Sequence, residues 1–224
     1  MAEEITKTEA TTEAKELTVA PTVGTALTAS PASGIWGTMV EKYGPIKAAE
    51  FLSQSTLIPE AYRGKGADCL IAIDFANRVG MAPTTVMQNL SIVKGKPSWS
   101  GQACFALAEL SGKFSGLKHV YTGTKGTENR GCYVTGIRND DGQRVDGTEV
   151  TIAMAKAEGW TSNRKWATMP EQMLAYRAAA FFARVNCPEM LLGLQTAEEV
   201  EDVDAARAPS RARSLTETLK GGAV

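Results

Sequence analysis

One histidine and four cysteines are all that this 224-residue chain offers as imidazole or thiolate metal ligands. Cys69, Cys104, Cys132 and Cys187 stand far apart, without a Cys-x-x-Cys pair and among mostly apolar neighbours. They read as reduced, partly buried thiols, and neither a disulfide framework nor a zinc site is expected. His119 has no thiol nearby in sequence and no G-x-S-x-G companion, so it reads as a strand residue rather than the base of a triad. No apolar run reaches the roughly 18 residues of a membrane-spanning helix, so no membrane partner is expected. The opening stretch MAEEITKTEATTEAKEL has neither the basic start nor the apolar stretch of a signal peptide, which predicts a cytoplasmic protein (host cytoplasm if phage-encoded). TGTKGTENRG (122–131) does not fit G-x-x-x-x-G-K-[ST] and lies between strands, so ATP-driven recombination or unwinding finds no support.

Charge is present in ordinary amount, 22% of residues, but it is segregated. Residues 84–188 hold 13 Lys/Arg against 8 Asp/Glu, whereas residues 189–204 hold six acids and no base. A basic middle beside an acidic segment suggests an anionic partner for the middle. The acidic run Glu198, Glu199, Glu201, Asp202 and Asp204 reads first as the solvated face of a polar C-terminal helix. It could also meet a basic surface on a neighbouring subunit, or hold Mg²⁺ in a nuclease.

Residues 1–33 are rich in Thr, Ala, Glu, Pro and Ser without an apolar period and are expected to be disordered; residues 204–224 are expected to form a flexible tail. The folded core is then 34–203. Helices are predicted over 45–54, with Pro45 at the start, and over 66–80, where Leu70, Ile73 and Ala76–Asn77 fall at helical spacing. Residues 86–100 read as a β pair around Gly95 and Lys96, followed by a helix over 101–112. Strands follow at 117–121, 131–137 and 143–152, then a short helix over 153–159. This order predicts an α+β fold: an N-terminal helical region, then an antiparallel sheet with hairpins packed by helices, between disordered termini.

SNRKWATMPEQMLAYRAAAFFARVNCPE (162–189) carries the sharpest question. Thr168 and Glu171 fit a capping box, and Asn186-Cys187-Pro188 supplies the stop. At about 100° per residue, Leu174, Ala178, Phe181, Phe182 and Val185 form an apolar face. Arg177 and Arg184 fall at its edge, with the small Ala180 between them. They are either core-edge residues paired with carboxylates or a cationic strip facing a phosphate chain. Upstream, Arg164 and Lys165 lie between Trp160 and Trp166, and Lys94 and Lys96 precede Trp99. Indoles that stack on bases beside cations that hold phosphates are the arrangement used for single strands. On the strip reading, Arg177→Ala or Arg184→Ala weakens single-strand binding and leaves the fold intact.

QNLSIVKGKPSWSGQACFALAELSGKFS (88–115), AMAKAEGW (153–160) and KWATMPEQMLAYRAAAFFARVNCPEMLLGLQTAEEVED (165–202) resemble, in the same order, the RecT/Redβ group of phage single-strand annealing recombinases. The resemblance spans about residues 66–203. It implies a DNA recombination and repair protein that binds single-stranded DNA and anneals it to a complement. No covalent chemistry and no ATP are implied, with Mg²⁺ as a modulator at most. It also implies a homo-oligomeric ring or filament, a 5′–3′ exonuclease as a possible companion, and a narrow basic groove between the hairpin and the late helix. The matching blocks place Lys94, Lys96, Trp99, Lys156, Arg164, Lys165, Trp166, Arg177 and Arg184 as DNA-binding residues. A single-strand-binding module without annealing and a metal-dependent nuclease are the competing readings.

Overall fold

Pro45 cannot donate a backbone hydrogen bond, and it sits where none is needed, at the first position of α2 (Pro45–Ser53). The computed structural model describes residues 34–93 and 95–206; Lys94, the N-terminal segment 1–33 and residues 207–224 of the expected tail lie outside the described residues. Before α2, α1 (Ile35–Tyr43) packs on α2 and buries no residue of its own. α3 (Gly66–Val79) turns Cys69, Ala72, Ile73 and Ala76 inward and ends on Gly80 at φ 73°. Ile73 and Ala76 are buried as predicted, whereas Leu70 is half-buried beside the fully buried Cys69 and Asn77 is exposed. α4 (Pro83–Asn89) occupies the start of the predicted β pair, because Pro83 opens a helix that buries Val86 and Met87.

The hairpin is β1 (Leu90–Val93) against β2 (Lys96–Trp99), and Val93 pairs with Lys96. Gly95 takes φ 77° in the two-residue connection, where a residue with a Cβ is strained. Tyr62 joins the N-terminal helices to this hairpin. Its hydroxyl donates to the Leu90 carbonyl at 3.0 Å, and burial pushes the phenol up to about 12. α5 (Gly101–Leu110) follows, capped by the Ser100 hydroxyl, which accepts from the Ala103 amide at 3.1 Å.

The larger sheet is antiparallel, ordered β3 (Phe114–Thr122), β4 (Gly131–Arg138), β5 (Arg144–Asp146), with β6 (Val150–Thr151) also pairing β4. α6 (Ile152–Ala157), a 3-10 turn at Trp160–Ser162, α7 (Lys165–Thr168), α8 (Pro170–Asn186) and α9 (Pro188–Leu191) come next. A last helix, α10, covers residues 197–206, three residues beyond the boundary expected at 203. The α+β class with small antiparallel sheets is the one expected from the order of periodicities.

α8 lies across one face of the sheet, with α5 against it. The two helices approach so closely that a Cβ on Gly101 would stand 2.5 Å from the Tyr176 Cβ. On α8, Leu174, Ala178 and Phe182 are buried as the projection predicts, but Val185 is 73% exposed at the far end. The capping box does not form. Thr168 ends α7 and donates to the Arg164 carbonyl, while Met169 breaks the helix and leaves Pro170 to start α8. The Glu171 carboxylate is taken by Arg130 instead.

His119, on β3, stacks on Phe105 of α5 with ring centroids 4.5 Å apart. Its Nε2 is buried without a hydrogen-bond partner, and burial holds the imidazole pKa below its ordinary 6.5. The unfolded chain binds this proton more readily, so stability falls as pH drops through about 6.5 towards the lower folded value. As the only histidine, it makes a clean test. His119→Phe should flatten the unfolding free energy between about pH 7 and pH 5, measured by urea denaturation, where the parent chain loses stability.

Candidate nucleic-acid interface

Arg177 and Arg184 stand two helical turns apart on α8, and α10 lies across them. The donors that meet the carboxylates of α10 come from α5, from α7 and the turn before it, and from α8. Glu198 accepts from the Gly101 amide at the start of α5, at 2.9 Å. Glu199 takes Arg184 in a two-pronged contact of 3.0 and 2.6 Å and also lies 3.5 Å from Arg177. Glu201 accepts from Lys165 at 2.6 Å. Asp202, fully buried, pairs with Arg177, accepts from the Trp166 indole at 3.1 Å to each oxygen, and accepts from Asn163 at 2.9 Å. The Arg177 guanidinium also lies 4.0 Å above the Trp160 ring, which leans on Trp166 at 5.7 Å.

Burial alone would raise the Glu199 pKa. The hydrogen bonds from Arg184 and the Thr196 amide, with the charges of Arg184 and Arg177, outweigh it and hold the carboxyl below its ordinary value. The Glu201 hydrogen bond raises Lys165, and the Glu199 hydrogen bond raises Arg184. These shifts belong to closed ion pairs inside the chain.

The sequence left two fates open for the arginines, and the structure gives the carboxylate-paired one. Arg177 is 7% exposed, and Arg184 is held by Glu199 while keeping part of its side chain at the surface. Ala180 is buried, and the element lying across the two arginines is α10 of the same chain. The acidic run is correspondingly not a solvated face, since Glu199 and Asp202 are both buried. Glu198, Glu199, Glu201 and Asp202 face cations, amides and an indole, and among the described residues no group of three or more His, Cys, Asp or Glu could hold a metal ion.

Two predicted stacking residues are internal for similar reasons. Trp99 is fully buried; its indole donates to the Leu191 carbonyl at 3.1 Å, and its backbone amide donates to Gln195 at 3.0 Å. Trp166 is buried with its N–H on Asp202. Neither presents a free ring face to a base. Lys96 and Arg164 are exposed, and their side chains engage no partner among the described residues. Lys156 and Lys165 are exposed and ion-paired, Lys156 with Glu128 at 2.5 Å. Lys94 lies outside the described residues.

The structure gathers a different group of cations. The connection between β3 and β4 folds back on α6, since the Ile152 and Ala153 amides donate to the Arg130 and Glu128 carbonyls at 2.9 Å each. This opens a cleft of about 320 Å³ between that connection and the α6–α8 region, lined by Lys125, Arg130, Lys156, Trp166 and Ala167. Arg164 and Lys165 are the adjoining residues of the chain. Lys125 and Arg130 were missed in the sequence because TGTKGTENRG lacks a phosphate-loop pattern. Two cations in a hairpin connection were the available signal. No family model, curated protein or solved structure matches the chain.

Removing one partner of a buried ion pair leaves the other charged and unpaired, at a cost of about 3–5 kcal/mol. Arg177→Ala should therefore lower the unfolding free energy by roughly that amount, and Lys96→Ala should leave it nearly unchanged. Urea denaturation of both variants checks this; an Arg177→Ala chain as stable as the parent would return the side chain to the candidate surface residues.

Proposed function

We propose that the chain binds single-stranded DNA and anneals it to a complementary strand without ATP and without covalent chemistry, in phage-type recombination and repair. The observation that carries this reading is the grouping of Lys125, Arg130 and Lys156 around one open cleft, with Arg164 and Lys165 next to it in the chain. Polyanion binding needs cations that can reach phosphates, and Lys125, Lys156, Arg164 and Lys165 are exposed. The blocks resembling annealing recombinases supply the second support, because Lys156, Arg164 and Lys165 belong to or adjoin them.

Binding on this reading is electrostatic first. With Trp99 and Trp166 internal, base stacking contributes little, and counterion release supplies most of the affinity. A strand held by its backbone keeps its base edges free, which lowers the ordering cost of pairing. A multimer would extend the track from copy to copy, and Ile35, Tyr43, Ile46 and Phe51 on the N-terminal helices, with Leu57 in the turn after α2, offer exposed apolar surface for such contacts. Work beside a 5′–3′ exonuclease belongs to the same proposal. No helix among the described residues is long and apolar enough to cross a membrane.

Complementary oligonucleotides carrying a fluorophore and a quencher test the proposal directly. The protein, without ATP, should accelerate quenching, and single-strand affinity should fall with salt at a log–log slope of about −0.7 per phosphate neutralised. Binding without acceleration over protein-free controls rejects annealing and leaves a plain binding module. Strand degradation on adding Mg²⁺ favours the nuclease.

A further inference from the structure

We infer that the cleft between the β3–β4 connection and the start of α8 is a pocket for one nucleotide unit, taking its phosphate on the cationic side chains and its sugar or base against the apolar lining. The inference rests on the single-strand reading but makes a narrower claim. A volume of about 320 Å³ is at the small end of ligand pockets, the scale of one monomer and far below that of a duplex. Its walls divide by chemistry. Exposed Lys125 and Lys156 and the half-buried Arg130 supply cationic groups, while Ile152, Ala167 and Pro170 supply apolar lining. Cations beside an apolar lining match a ligand that is anionic at one end and flat and weakly polar at the other.

The two carboxylates in the pocket are already committed. Glu171 is held by Arg130 at 2.9 and 2.6 Å, and the Arg130 hydrogen bonds keep its pKa low. Glu128 is held by Lys156 in an exposed pair, of the kind that is individually weak in water. Lys125 has no hydrogen bond or ion pair within the described residues, although its charge is felt by Glu171. A phosphate entering the cleft therefore meets Lys125 directly and exchanges with Glu128 for Lys156, while Arg130 stays fixed as the wall. The first amides of α8, at Glu171 and Gln172, donate to no helical carbonyl, and Glu171 itself lines the pocket.

Thymidine monophosphate is the probe, with thymidine as its phosphate-free counterpart, titrated into the full chain while backbone amide NMR signals are followed. The monophosphate should shift the Ala167, Glu171 and Gln172 signals saturably. Thymidine should bind far more weakly, and Lys125→Ala or Lys156→Ala should each weaken the monophosphate about tenfold. Lys118→Ala, on β3 away from the pocket lining, should change nothing. Absence of saturable shifts, equal binding of thymidine, or unchanged affinity in Lys156→Ala would each overturn the pocket. Oligo(dT) measured on the same samples separates the two claims. Its binding with undiminished affinity in both lysine variants removes the pocket and leaves single-strand binding standing. Saturable monophosphate shifts without oligo(dT) binding keep the pocket and remove the DNA reading.

Discussion

The guanidinium of Arg177 sits on Asp202 beneath the surface, over the indole of Trp160, and the arrangement of the C-terminal half follows from satisfying that one charge. A buried cation without a partner is prohibitively costly, so α10 must lie where its carboxylate reaches α8. Once it does, Asp202 also captures Trp166 and Asn163, fixing the turn and short helix between α6 and α8. Glu199 and Glu198 then carry the same helix on to Arg184 and to the start of α5. Polar bonds, more than apolar packing, set the position of α10.

That constraint separates two kinds of cation that look alike in sequence. Arg177 and Arg184 are spent on the fold, whereas the side chains of Lys96 and Arg164 remain at the surface and engage no partner among the described residues. Net charge along a segment does not distinguish them, because it does not say where the opposing acids return. Here five of the six acids of residues 189–204 contact the basic middle: Glu189 through Lys113, and Glu198, Glu199, Glu201 and Asp202 by folding back from α10. The basic character available to a partner is correspondingly shifted, away from the long helix and towards the β3–β4 connection and the residues leading into α7.

Much of the fold was legible because its signals are local. Pro45, Gly80, Gly95 and the period of residues 170–182 each act within a few residues, and the predicted elements at those places formed. The candidate site was less legible because its deciding contacts are remote. Arg177 and Asp202 are 25 residues apart, and Trp99 and Leu191 are 92 apart. Helical projection put both arginines on one edge and allowed carboxylate partners, but could not choose them over phosphates. Thr168 and Glu171 show the converse error: a sound local motif lost when Arg130, 41 residues away, offered the carboxylate a stronger partner.

The closing of this half also has an order in time. Trp99 and the start of α5 are made early, yet the groups that satisfy them, from Leu191, Gln195 and Glu198, are made about a hundred residues later. During synthesis, α8 can form as a helix while its two arginines still lack their acids. Such long-range closure slows folding and exposes intermediates. Until residues 199 and 202 join it, α8 carries Arg177 and Arg184 without the carboxylates that hold them in the folded chain.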